Sequence, residues 1–380
     1  VLALRLARGA HPLVQLRRLL VAAAAAGTGF LLLCTLAYAM EHPGTGSVLR
    51  LAWCAAPVAA TVYFAVAVAR TDPGTRPRAG LSAVGLGPAR LMVLAAISTA
   101  LACTLGSLVA LLVFLHLRGD LSGLPFDGAA AELLAAERPL PLAAALTLLT
   151  VVPLTASAAS AAALRPRLAK ADGVGEPAAP APAPSGLPWG VALLAAGLAV
   201  ETYASGRGSG LPVPGGADGN PAGVLAGWAL TALGLALAGP GLTYLCGRLL
   251  QAARPGAVRL LAGRVLQEEA RRIGRPLGVL CAVASGAYAS VVLYAGPRTG
   301  IGPLTALGAL LVAGCAVLTL ATAAVEARQS RADTTAALLR LGAPATMLRG
   351  SAALRAGALT AVFAPLTWVV AELAALPLGR

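Results

Sequence analysis

Apolar residues run through this chain in long blocks, broken by short stretches where arginine, glycine and proline collect. A helix needs about 20 mostly apolar residues to cross the hydrocarbon core of a bilayer. Blocks of that kind lie at 19–40, 48–70, 90–117, 139–164, 187–204, 221–250, 276–296, 302–325 and 349–377. The pattern predicts an all-α polytopic membrane protein with nine transmembrane helices. Several blocks exceed the minimum, which tilting accommodates. The block at 187–204 is the shortest and carries Glu201 near its end. Residues 172–188, DGVGEPAAPAPAPSGLP, read as an extended linker, and 205–220 as a Gly-rich outer loop. The start, with Arg17-Arg18, an apolar run and Ala37-Tyr38-Ala39, resembles a secretory signal. Its apolar run is longer than a signal core, so the segment is expected to stay as an anchor.

Composition sharpens this picture. Apolar residues make up 58% of the chain and charged residues only 12%, too few to cover a water-facing surface of this size. The net charge of +14 would suit nucleic acid, but its distribution points to topology instead. With the N-terminus inside, the cytoplasmic segments hold Arg5, Arg8, Arg17 and Arg18; then Arg70, Arg76, Arg78 and Arg90; then Arg165, Arg167 and Lys170. They continue with Arg254, Arg259, Arg264, Arg271, Arg272 and Arg275, and end with Arg328, Arg331, Arg340 and Arg349. The outer segments hold only Arg50, Arg118, Arg138, Arg207, Arg298 and Arg380. That asymmetry follows the positive-inside rule and predicts a multi-pass cell-membrane protein with a cytoplasmic N-terminus and no nucleic-acid partner.

Two stretches recur in one register. RLARGAHPLVQLRR, Arg5 to Arg18, is matched by RLLAGRVLQEEARR, Arg259 to Arg272, at an offset of 254. RPRAGLSAVGLGPARLM, from Arg76, is matched by RADTTAALLRLGAPATM, from Arg331, at an offset of 255. Six spans separate the copies, which preserves orientation and predicts parallel repeats about an axis along the membrane normal. The repeat also calls for a tenth helix, near residue 394, past Arg380.

The segments before the first and seventh spans, with Arg5, Arg17, Arg18, Arg259, Arg271 and Arg272, read as interfacial helices on anionic lipid. Those after the second and eighth spans read as short amphipathic helices. Ser330 and Asp333 suggest an N-terminal capping box there. Gly87 and Gly342, with Pro88 and Pro344 beyond, suit a left-handed helix stop. Such a segment is either a plain stop before the chain re-enters the membrane, or a transverse helix that docks on a partner.

The pattern from Arg331 to Arg349, R-x-x-x-x-x-A-x-L-x-x-L-G-A-x-x-x-x-L-R, resembles the FtsX-like permease domain of type VII ABC transporters, with Arg76 to Met92 as a diverged first copy. The resemblance implies two modules, 1–170 and 255–380, joined by a linker at 171–186 and a central two-helix hairpin at 187–254. It implies a separate cytoplasmic ABC ATPase, expected as a dimer, that engages Arg76, Leu81, Leu86 and Gly87, and Arg331, Leu338, Leu341 and Gly342. Residues 41–47 and 297–301 are too short for the large extracytoplasmic domain that family members usually carry.

The chain carries little chemistry of its own. Its one lysine, Lys170, follows Ala169, so no G-x-x-x-x-G-K-[ST] nucleotide loop exists. Neither His11, His42 and His116 nor the six cysteines have metal-ligand or catalytic spacing, and the cysteines read as small buried hydrophobes. No cofactor or enzymatic activity is expected. Glu201, Glu326 and Glu372 fall near span ends, where water could solvate them, which argues against an ion-coupled carrier. The outer loop 118–138, with Asp120, Asp127, Glu132 and Glu137, reads as a solvated acidic loop. The expected function is therefore a permease subunit that couples a partner's ATP hydrolysis to export or extraction. A non-transporting membrane scaffold, or a secondary carrier, is the alternative.

Overall fold

The computed structural model describes residues 12–72, 88–121, 125, 127–165, 183–205, 222–252, 256–294 and 302–375. Their regular structure is helical: α1 Pro12–Glu41, α2 Thr45–Trp53, α3 Ala55–Thr71, α4 Pro88–Arg118, α5 Leu142–Ala163, α6 Gly186–Ser205, α7 Ala222–Gln251, α8 Ala257–Tyr294, α9 Pro303–Ser330, α10 Ala332–Arg340 and α11 Ala345–Ala375. Among the described residues eight helices are long and apolar enough to cross a membrane. They take in α1, α3 with the end of α2, α4, α5, α6, α7, α9 together with α10, and α11. The ninth expected span, 276–296, falls in the C-terminal half of α8 as far as Tyr294. That helix is not among the eight. Its 38 residues extend about 57 Å at 1.5 Å per residue, nearly twice an apolar core. The Arg259–Arg272 segment is thus no separate helix but the first half of α8, continuous with the apolar half through Pro276.

The burial pattern is the reverse of a soluble protein's. On α4, Val93, Ile97, Leu101, Leu105, Leu108 and Leu112 are exposed, while Ala95, Thr99, Cys103, Ser107 and Ala110 are buried. Small and hydroxylated residues line the helix contacts and large aliphatic ones face outward. Lipid rather than water is the solvent that such a face requires. The chain is a multi-pass α-helical membrane protein.

Two compact units result, one of residues 1–172 with 301–319, the other of 173–300 with 320–380. The hairpin at 187–254 therefore groups with the helices that follow it, and α9 is divided between the units. In the first unit α1 packs against α3, α4 and α5. Thr28 and Thr61, both fully buried, share a hydrogen bond of 2.8 Å there, and Ser107 donates to the Leu149 carbonyl at 3.0 Å. The span at 48–70 is broken at Cys54. Pro57 in the next turn lacks the N–H that would continue the ladder across that point. The loop 118–138 is more than solvated chain. Arg118, buried, donates to the Arg138 carbonyl, Arg138 donates to that of Met40, and Leu134 and Ala135 enter the core.

In the second unit α7 packs along both α6 and α8, and α8 along α11. Leu235, Cys281, Phe363 and Val370 form its core. The α6–α7 contact is glycine-lined: a Cβ on Gly197 would lie 2.7 Å from the Gly227 carbonyl, and one on Gly227 2.8 Å from that of Gly197. That closeness corrects the expectation for Glu201. It is fully buried rather than solvated, because the two backbones meet where its side chain leaves α6. Thr231 Oγ1 donates to its Oε1 at 3.1 Å, and Oε2 has no hydrogen-bond partner.

Candidate partner-docking segment

The element that stands apart is α10. Its nine residues, ADTTAALLR, carry Asp333 in the first turn and Arg340 in the last, both favourable to the helix dipole. None of them is buried. Leu338 is half-covered, Leu339 is 46% exposed and the following Leu341 is 84% exposed. A short helix with an open aliphatic edge between two membrane helices is a surface that a partner can cover.

Both ends of α10 are defined by local chemistry. At its C-terminus the Gly342 N–H donates to the Leu339 carbonyl and the Ala343 N–H to that of Leu338, each at 3.0 Å. This pairing is a Schellman motif, and it needs a left-handed residue, which Gly342 supplies at φ +88°. Pro344 follows and α11 begins at Ala345. The expected Leu-Gly stop is present.

The N-terminus differs from expectation. Ser330 and Asp333 form no capping box: Ser330 ends α9 and its Oγ donates to the Ala327 carbonyl at 3.1 Å. The cap position belongs to Arg331, whose side chain makes no capping bond. Once α9 continues through Ser330, that hydroxyl is too early in the chain to reach the first N–H groups of α10.

Arg331 itself faces inward. Its Nε lies 3.0 Å from Glu269 Oε1 and donates to the Ala327 carbonyl at 2.9 Å. Glu269 sits on the packed face of α8 with Ala262, Leu266 and Ala270, and its side chain is 8% exposed. Burial pushes this carboxyl above its ordinary range; Arg331 and then Arg272 pull it back, while Glu268 adds to the rise. The pair is incompletely satisfied, since Arg331 Nη1 is buried without a hydrogen-bond partner and Glu269 Oε1 is off line for one.

The structure thus brings Arg331 onto the helix that carries Arg259, Arg271 and Arg272, with Arg271 and Arg272 exposed. Arg17 and Arg18 lie in the first turns of α1, and Arg18 Nη2 pairs with Asp72 Oδ2 at 2.5 Å. Arg5, Arg76, Leu81, Leu86 and Gly87 lie outside the described residues. Sequence reasoning passed over Glu269 and Asp72. For Glu269 a signal existed: it recurs at helical spacing with the apolar Ala262, Leu266 and Ala270. The chain was compared with protein-family models, curated proteins and solved structures, and it matches none of them.

Proposed function

We propose that the chain is the transmembrane permease subunit of an ABC transporter of the FtsX-like kind. It works with a separate cytoplasmic ATPase in the cell membrane, its N-terminus in the cytoplasm, and couples the partner's ATP hydrolysis to export or extraction. The observation that carries this reading is α10: an amphipathic helix with no buried residue, continuing from the membrane-long α9, followed by α11 and rooted by an ion pair. Its place in the register of the basic repeats supports the same reading, and the given residues hold no G-x-x-x-x-G-K-[ST] loop, so the reading calls for a nucleotide site outside them. Since Arg331 is turned toward Glu269, the groups offered to the partner are Leu339, Arg340 and Leu341.

The test is purification from native membranes in mild detergent. An ATPase with a Walker-type loop is expected to come with the wild type and to be lost with Leu339→Asp and Leu341→Asp. Wild type that purifies without any ATPase sinks the proposal.

A secondary carrier has one observation in its favour. Glu201 is enclosed between α6 and α7, and an ionisable group within a membrane helix marks an ion pathway by default. Uptake driven by an ion gradient in vesicles, abolished by Glu201→Gln, would select that reading instead.

A further inference from the structure

In each unit an ion pair closes the same joint. Arg18, in the first turns of α1, meets Asp72, the residue that follows α3. Glu269, in the first half of α8, meets Arg331, the residue that follows α9. In both, a helix with a basic first part is tied to the exit of the next expected span along the chain. The acidic member is the buried one each time, 9% exposed for Asp72 and 8% for Glu269, and the basic member is the more open one. The polarity is reversed, however, and Arg18 aligns by register with Arg272 rather than with Glu269. What recurs is a charged closure of the joint, built from different residues.

The second joint is also short. Arg331 alone separates α9 from α10, and no residue of α10 is buried. The Arg331 Nε is shared between Glu269 and the Ala327 carbonyl, and its Nη1 has no hydrogen-bond partner. A buried pair left half-satisfied is a weak staple, because desolvation offsets much of its attraction. It does set direction: while closed, it fixes the root of α10 to α8.

We propose that Arg331–Glu269 is a latch that makes α10 and the first half of α8 move as one body, and that its opening lets α10 swing about residue 331. The proposal takes from the preceding reading only the idea that α10 meets a partner. The latch itself is a property of the chain alone. Arg331 and Glu269 are positioning residues, acting through α10 on whatever docks there.

The test uses the full chain in lipid nanodiscs without any ATPase. Spin labels go on cysteines introduced by Arg264→Cys on α8 and Leu339→Cys on α10, both exposed positions; the six native cysteines are buried. Pulsed electron resonance is expected to give one narrow distance in the wild-type background. Glu269→Gln and Arg331→Gln are each expected to add a second, longer maximum, and Arg331→Lys is expected to leave it small. The exchanged pair, Glu269→Arg with Arg331→Glu, is expected to restore the single distance, which a merely structural loss at either site would not allow. An unchanged distribution in both single variants overturns the latch, and so does failure of the exchange to restore it. Absence of a co-purifying ATPase would remove the transporter reading and leave this result standing.

Discussion

At position 269 a carboxyl shares the packed face of α8 with alanines and a leucine; its ion-pair partner is the partly exposed Arg331, and Arg272 is a second, weaker positive influence. The two partners are therefore not equivalent to lose. Removing Arg331 strands a charge that cannot reach water, at a cost of about 3–5 kcal/mol when a buried pair is broken. Removing the carboxyl strands a long side chain whose end can snorkel outward, which costs less. Arg331→Gln should melt well below Glu269→Gln at pH 8. The pH dependence has a definite sign. Burial holds the folded-state value of Glu269 above its unfolded value, so its contribution is complete at low pH and is lost as pH rises through the folded value. Without Arg331 the largest opposing influence is gone and the loss extends further. Melts in detergent should show Arg331→Gln closest to wild type at the acidic end of the range and falling away as pH rises, with Glu269→Gln nearly flat. A constant gap between Arg331→Gln and wild type from pH 5 to 8 would refute this account. The position of Glu269 on the packed face was legible from helical spacing, but its partner was not. Which arginine it meets depends on where the end of α9 comes to lie beside α8, and no local pattern carries that.

At the scale of elements, the apolar blocks located the helices well because a bilayer imposes a length on them. The failures came where a second force entered. The block at 48–70 breaks at Cys54 because of Pro57, a one-residue effect inside an unbroken apolar run. Glu201 looked solvated from its place near a helix end, yet Gly197 and Gly227 bring α6 and α7 so close that it is sealed. That contact gives a prediction. Gly197→Ala and Gly227→Ala would each place a methyl carbon against opposing backbone, which cannot yield as a flexible side chain does. Each should lower the melting temperature in detergent by more than Gly286→Ala on α8, where a Cβ would meet nothing. The α10 stop behaves differently. An L-residue at the φ of Gly342 costs roughly 1–2 kcal/mol. Since α10 has no buried residue to hold it, Gly342→Ala should fray its last turn without lowering the global melt. Faster amide exchange at Leu341, Gly342 and Ala343, with an unchanged melting temperature, is the expected pair of results.

For the whole molecule the sequence makes a definite prediction about sidedness and none about assembly. Arginine clusters predict topology because each charge resists transfer across the membrane, whatever the helices later pack against. The grouping of α6 and α7 with α8 rather than on their own was not legible, since the small-residue faces that join them look alike in sequence. Sidedness is also what the functional proposal needs most. If six spans separate the repeats, α10 and the basic start of α1 lie on one side, and the loop at 118–138 lies on the other. Leu339 on α10 and Leu133 in that loop are both exposed, at 46% and 78%, while every native cysteine is buried. A membrane-impermeant maleimide should therefore label Leu339→Cys in inside-out vesicles and Leu133→Cys in right-side-out vesicles, with little background. Labelling of Leu339→Cys in right-side-out vesicles would place α10 across the membrane from its expected partner. The latch would survive that result, because it needs no particular side, but a cytoplasmic ATPase could not reach the helix it is proposed to grip.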